Sequence, residues 1–311
     1  MRYSKALFPL LLLLFGSAYS QISPSATPTP TPRPGSRQAV ANPLLNDKDS
    51  YERLRSIESI GQSAEREPPP LLVGKESIYR KPSRSETAAL AVSDQLLLKY
   101  AEFLRSKGNG IVKLSSDSSC VSASDVVVAS EQCLPFMFPG AGTAFSFRTE
   151  SYRLPRLADV ILINNEIMTG GVFQQVIAVD IGDVDLDGLT PASATLSYLF
   201  SAKPAKDSDE FKQFDTQLIA GIDENGLLHR KNQPVKLNTT FAIRSIAYRG
   251  KSIRTLDGFL YNELEYDKRR DVIVVFRIVE KDANGNITLL WKKLRDVEAP
   301  VLKVVKQPES K

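Results

Sequence analysis

Residues 176–188 read VIAVDIGDVDLDG, and the first six narrow the possible folds more than any other stretch. Val176, Ile177, Ala178, Val179 and Ile181 form a nearly continuous apolar run rich in β-branched side chains, broken only by Asp180. A strand with one wet face alternates apolar and polar residues, whereas an unbroken run marks a strand buried on both faces. Residues 176–181 are therefore expected in the middle of a sheet. The surrounding chain has similar grammar. Residues 144–152, 157–163 and 172–181 are predicted as consecutive strands, with Asn164-Asn165 and Gly170-Gly171 as turn residues between them.

The C-terminal third continues in strands. Residues 217–222 and 227–230 flank Asp223-Glu224-Asn225-Gly226, which reads as a hairpin turn. Residues 240–248 alternate, residues 257–266 are less regular, and 301–305 offer a last short strand. The best hairpin pairs DVIVVFRIVE at 271–280 with NITLLWK at 286–292. Helical signals gather earlier. Ser83 and Glu86 form a capping box after Pro82, and Leu90, Leu97, Tyr100 and Leu104 recur at helical spacing before Gly108, predicting a helix over 83–107. Thr190-Pro191 has the form of an N-cap with proline at the first helical position, predicting a helix to about residue 202, and 207–214 could add a helical turn or two. Helices first and strands after them predict an α+β fold, with N-terminal helices packed on a mostly antiparallel β-sheet, sandwich- or barrel-like, in one domain over 83–306.

What precedes that domain is of another kind. Arg2 and Lys5, the apolar run 6–15, and the small residues Ala18 and Ser20 make residues 1–20 a secretory signal peptide. Residues 21–40 contain SPSATPTPTPRP, a Pro/Thr-rich disordered spacer that favours polyproline II. Residues 41–82 hold a short helix at 47–62 and an irregular linker, and 307–311 form a tail. The expected location is secreted, periplasmic or at the cell surface. No membrane span is expected after the signal segment, because no later run reaches the roughly 18 apolar residues needed.

Without residues 1–20 the chain carries 38 Lys+Arg against 36 Asp+Glu, a formal charge of +2. That balance gives no electrostatic case for a nucleic-acid partner. The densest basic cluster, Lys268-Arg269-Arg270, lies between Asp267 and Asp271 and reads as a solvated turn. Cys120 and Cys133, in the exported part, are expected to form a disulfide. Such a closed loop would contribute about 3 kcal/mol through the unfolded state.

Asp183, Asp185 and Asp187 alternate and are followed by Gly188, a spacing that a cation could use. GDVDLDG is similar to the start of dockerin and EF-hand-type loops, and the resemblance implies a possible weak Ca2+ site. It covers about seven residues and then departs from the pattern. Ala194 stands where the bidentate carboxylate belongs, and Pro191 where a polar ligand is common. The alternative is a structural turn, since 223–226 and 282–286 join strands with the same Asp/Asn/Gly chemistry.

Catalytic groups are sparse. The single histidine, His229, follows a hairpin turn, and the G-x-S-x-G and H-E-x-x-H patterns do not occur. Glu263 and Glu265 would share one face of a strand and could act as a carboxylate pair. Asn238-Thr239-Thr240 and Asn286-Ile287-Thr288 match glycosylation sequons. The reading is an exported, non-catalytic binding or structural module of the cell envelope or extracellular space, with a protein or glycan partner. The alternatives are a carboxylate-only hydrolase such as a glycosidase, and a weakly calcium-stabilised adhesion module.

Overall fold

Apolar runs without alternation become the interior of a sheet closed on both faces. The computed structural model describes residues 84–118, 142–256 and 259–304, all within a unit spanning Ile60–Lys311. The expected signal peptide, spacer and linker, and both cysteines, lie outside the described residues.

The strands, in chain order, are β1 Asn109–Leu114, β2 Ala144–Ser146, β3 Ser151–Tyr152, β4 Val160–Ile163, β5 Glu166–Thr169, β6 Gln174–Gly182, β7 Ile222–Glu224, β8 Leu227–Arg230, β9 Gln233–Pro234, β10 Thr240–Ala247, β11 Ile253–Leu256, β12 Phe259–Asn262, β13 Arg270–Lys281 and β14 Ile287–Glu298. Seven of them form one sheet in the order β1-β14-β13-β10-β6-β8-β7, and five form a second in the order β3-β2-β4-β5-β9. All pairings between these strands are antiparallel. The helices are few and short: α1 Arg84–Ala89, α2 Asp94–Lys99, α3 Ser197–Ser201 and α4 Ser208–Ala220. The mostly antiparallel architecture expected from the sequence is present.

Two apolar layers sandwich the larger sheet. On one face, Val176 and Ala178 of β6, Phe241 and Ile243 of β10, and Val274 and Phe276 of β13 pack against Phe145, Val160, Leu162 and Ile167 from the smaller sheet. On the other, Ile177, Val179, Ala242, Ile273 and Val275 pack against Leu196, Leu199 and Leu218 from the helical segments and against Leu186 and Leu189. Every residue of β10 is buried, so this strand does not alternate between core and solvent as its sequence suggests. Its polar residues are buried too: Arg244 beneath the helices and Ser245 between the sheets.

Close packing dictates one glycine. Gly110 stands opposite Trp291 in the β1–β14 ladder. A Cβ added there would lie 2.3 Å from the indole ring. Trp291 is buried, with its ring 5.6 Å from that of Phe147, so it has little room to yield. Gly110→Ala is expected to cost about 1–3 kcal/mol through overpacking. Because Trp291 is the only tryptophan, a shifted emission spectrum would report its displacement.

Several boundaries differ from expectation. The helix predicted over 83–107 is broken: α1 ends at Ala89, and Ser93 starts α2 afresh, accepting a hydrogen bond from the Leu96 amide at 3.4 Å. A 3-10 turn, Phe103–Arg105, follows. α2 buries no residue, and Leu98 is 78% exposed. Only Tyr100, Phe103 and Leu104 reach the helix-side core. Pro191 lies in a turn and helical geometry starts at Ala194, because the Thr190 amide is satisfied by the Ser193 hydroxyl at 2.9 Å. Residues 217–220 are helix, not strand. Asp207 caps α4 by accepting from the Asp209 and Glu210 amides, and the helix runs on until Gly221, at φ 95°, ends it. Residues 144–152 form two short strands joined by a turn, and the Asn164-Asn165 turn opens into the additional strand β5. Both asparagines have positive φ, as a tight hairpin requires. Val301 and Lys303 make isolated bridges in place of a last strand.

Candidate functional site

The richest gathering of polar side chains lies between the two sheets at one end. Ser146 at the end of β2, Arg148 in the turn after it, Asp159 before β4, Gln174 at the start of β6, Ser245 on β10, and Asp267 with Arg269 before β13 meet there. Asp159 Oδ1 accepts from Arg148 Nε at 2.8 Å, Gln174 Nε2 at 2.7 Å and the Ser245 hydroxyl at 2.6 Å. Its Oδ2 accepts from the Ser146 hydroxyl at 2.9 Å. Arg148 also donates to Asp267, to the Leu157 carbonyl at 2.7 Å and to the Lys268 carbonyl at 3.0 Å. Arg269 donates to Asp267 at 2.8 Å and to the carbonyls of Tyr248, Val172 and Phe173.

Two guanidiniums thus face two carboxylates, and the group carries no net charge. The side chains of Arg148, Asp159 and Asp267 are 0% exposed and that of Arg269 is 7% exposed. Burial alone would lower the Arg148 pKa, but the carboxylates of Asp159 and Asp267 outweigh it and hold the guanidinium above its ordinary value. Arg269 is pushed down to about 10, chiefly by burial, with Asp267 opposing. Both remain cations at neutral pH. Lys268-Arg269-Arg270 is accordingly not a solvated turn. Arg269 points inward, and Arg270 pairs with Asp296 of β14 at 2.6 Å. A second buried pair lies on the helix side, where Arg244 grips Asp271 through two bonds of 3.0 and 2.7 Å and donates to the Leu199 carbonyl at 3.0 Å.

Chemically, these arrangements bind structure to structure. A buried charge is tolerated when its partners are in place, and these partners come from segments far apart in sequence. Its charged side chains are all buried, and among its polar atoms Asp267 Oδ1 alone meets no hydrogen-bond partner.

The residues singled out in the sequence fare differently. Asp183, Asp185 and Asp187 are exposed, and among the described residues no group of three or more His, Cys, Asp or Glu side chains converges as a metal site would require. Asp183 accepts from Arg277 of β13 at 2.5 Å. Carbonyls of the same loop face Lys292 of β14, whose ammonium donates to Leu189 at 2.9 Å, Asp187 at 3.3 Å and Leu186 at 3.4 Å. Leu186 and Leu189 meanwhile sink into the helix-side core. Glu263 and Glu265 do not share a strand face; they lie in a 3-10 turn, Glu263–Tyr266. Glu263 is buried, gripped by Arg156 at 3.0 Å to each oxygen and by the Ser252 hydroxyl at 2.6 Å, whereas Glu265 is exposed. His229 is buried on β8 beside Tyr198, with ring centroids 4.6 Å apart. A depression of about 240 Å³ opens near this hairpin, lined by Asp180, Leu228, Arg230 and Lys236 among others.

Sequence reasoning missed Arg148, Asp159 and Gln174. No local pattern marks them, since Arg148 pairs with Asp267 across 119 positions. Comparison of the chain with protein-family models, with curated proteins and with solved structures finds no match to any of them. Among the described residues no helix is long and apolar enough to cross a membrane.

Proposed function

We propose that the chain is an exported, non-catalytic binding or structural module of the cell envelope or extracellular space, engaging a protein or glycan partner. The observation that carries this reading is the closed, charge-balanced cluster of Arg148, Asp159, Asp267 and Arg269. Its buried ion pairs are engaged in joining the two sheets. Two measurements test it. Chain expressed with its own N-terminus in a secreting host should be recovered outside the cytoplasm beginning at Gln21; retention inside with Met1 intact overturns export. The exported protein should leave chromogenic glycosides and polysaccharides uncleaved. Hydrolysis that Glu263→Gln or Glu265→Gln abolishes, at unchanged melting temperature, would instead establish the carboxylate-only hydrolase.

On the same reading the Asp183–Asp187 turn is a structural strap and not a calcium site. Its oxygens face cations supplied by the chain itself, Arg277 at Asp183 and Lys292 at the carbonyls of Leu186, Asp187 and Leu189. Calcium at about 5 mM, enough to fill a weak extracellular-type site, is expected to leave the melting temperature unchanged. Lys292→Met should lower stability by about 1.5–3 kcal/mol, the scale for losing charge-assisted bonds. A calcium-dependent rise in the unmodified protein would restore the adhesion-module reading.

A further inference from the structure

The β7–β8 hairpin is the most lightly attached part of the larger sheet. β8 registers with β6 at only two positions, Ala178 with Arg230 and Val179 with His229. β7 pairs with β8 alone and is the sheet's edge. Gly221, at positive φ, joins the hairpin to α4, and the Lys231 amide donates to the Leu218 carbonyl at 3.3 Å. Few ladder bonds fix this segment, so it belongs to the part of the fold that opens most cheaply.

The chain's single histidine sits at that attachment. His229 is 1% exposed, and its Nδ1 lies 3.0 Å from the Leu227 carbonyl. A carbonyl can only accept, so the proton resides on Nδ1 and Nε2 is a bare acceptor. Nε2 is buried and meets no hydrogen-bond partner. The ring lies against Tyr198 of α3 at 4.6 Å and 59°. As a neutral, flat, largely apolar body, the imidazole fits this slot well. As an imidazolium it would bring a charge, and an N–H with no acceptor, into the same space.

We propose that His229 is an acid-sensitive latch, holding the β7–β8 hairpin against α3 while neutral and releasing it when protonated. The charged groups around it do not offset the cost of that proton. Burial keeps the imidazole below its ordinary pKa, outweighing the Leu227 and Ile222 carbonyls and the Glu224 and Asp223 carboxylates of β7, all of which favour the imidazolium. On β8 and just beyond it, Arg230 is a like charge, and Lys231 is paired with Asp215 of α4 at 2.7 Å. On β6, Asp180 is paired with Lys236 at 2.7 Å. The Tyr198 phenol is raised by burial and by Glu224, so it stays uncharged as the histidine titrates.

The direction of the pH effect follows. The open hairpin binds the proton more tightly than the closed one. Closure is therefore fully favoured above about pH 6.5, the ordinary histidine value, and weakens as pH falls through the window below it. No other side chain has an ordinary pKa in this range, so the response belongs to one residue. This holds wherever the protein resides, and does not depend on the proposed function.

Hydrogen exchange of the full chain, corrected for intrinsic rates, tests the latch at about pH 7.5 and about pH 5. Amides of residues 222–230 should lose protection at the lower pH, by up to about thirtyfold, the ceiling for one proton over the roughly 1.5 units between the ordinary histidine value and pH 5, while those of residues 272–278 keep theirs. His229→Phe should remove the pH dependence. Unchanged protection of 222–230 in the unmodified protein, or an equal loss in His229→Phe, overturns the proposal. The imidazole proton resonance of the unmodified protein gives a reading independent of how the variant folds. A titration midpoint below about 6.5 supports the latch, and one at or above that value overturns it.

Discussion

Replacing Asp159 by alanine is expected to destabilise the protein by about 3–5 kcal/mol, as removal of one partner from a buried ion network does. The fall should be read in the urea midpoint at unchanged slope, so that it reports stability and not a change in the unfolded state. The substitution leaves Arg148 and Arg269 facing Asp267 alone, an excess positive charge at a place that water does not reach. It also removes an acceptor from Ser146, Gln174 and Ser245, which bind the same carboxylate from three different segments, and leaves Gln174 Nε2 only its bond to the Ser245 hydroxyl. Removing both partners with apolar replacements, Arg148→Met with Asp159→Leu, leaves the balanced pair Asp267 and Arg269. The double variant should therefore be at least about 1 kcal/mol more stable than the summed single losses predict, the sign of coupled neighbours. Simple additivity would mean that the two charges act independently and that the cluster does not join the sheets as described.

Phe276→Ala is expected to cost a similar amount, about 3–5 kcal/mol, by leaving a cavity where an aromatic ring stood. Phe276 is 1% exposed. Its ring stacks on Phe241 of the neighbouring strand at 5.5 Å and on Phe147 from across the sandwich at 5.9 Å. The Phe147 ring in turn meets Trp291 edge-on at 5.6 Å, and Trp291 is Phe276's register partner on β14. Loss of the phenyl group should thus loosen both sheets and change the emission of the lone tryptophan. Leu98→Ala is the control. At 78% exposure it removes as many apolar atoms as many core truncations, yet should change stability by less than about 0.5 kcal/mol.

The parts of the fold that were legible are those whose environment is the same on both sides. β6 and β13 lie inside the larger sheet with both faces covered, and their apolar runs state this directly. The hairpin turns at Asn164-Asn165 and Asn225-Gly226 were legible because positive φ selects those residue types. Arg244 and Ser245 on β10 suggested a wet face because a sequence cannot say that an arginine will find Asp271 and backbone carbonyls beneath a helix. The same blindness hid Arg269, whose acceptors at Val172 and Phe173 lie 97 and 96 residues away. In the helices, capping chemistry dominated. Ser93 could interrupt a good apolar stripe because its hydroxyl offered the chain a fresh start, and the stripe around it had little core to bury against. For the candidate sites, aspartate spacing in 183–187 was visible, but the cations facing the loop belong to strands about a hundred residues later.

The first strand of the larger sheet pairs only with its last. β1 has β14 as its sole neighbour, and β10 gains β13 only after residue 270 has been made. A chain emerging N-terminus first therefore cannot assemble this sheet until its final third is free. The β13–β14 hairpin can then form locally, and the distant strands must close onto it, a slow search because the loops are long. The topology itself therefore delays completion of the larger sheet until the last of its strands has been made.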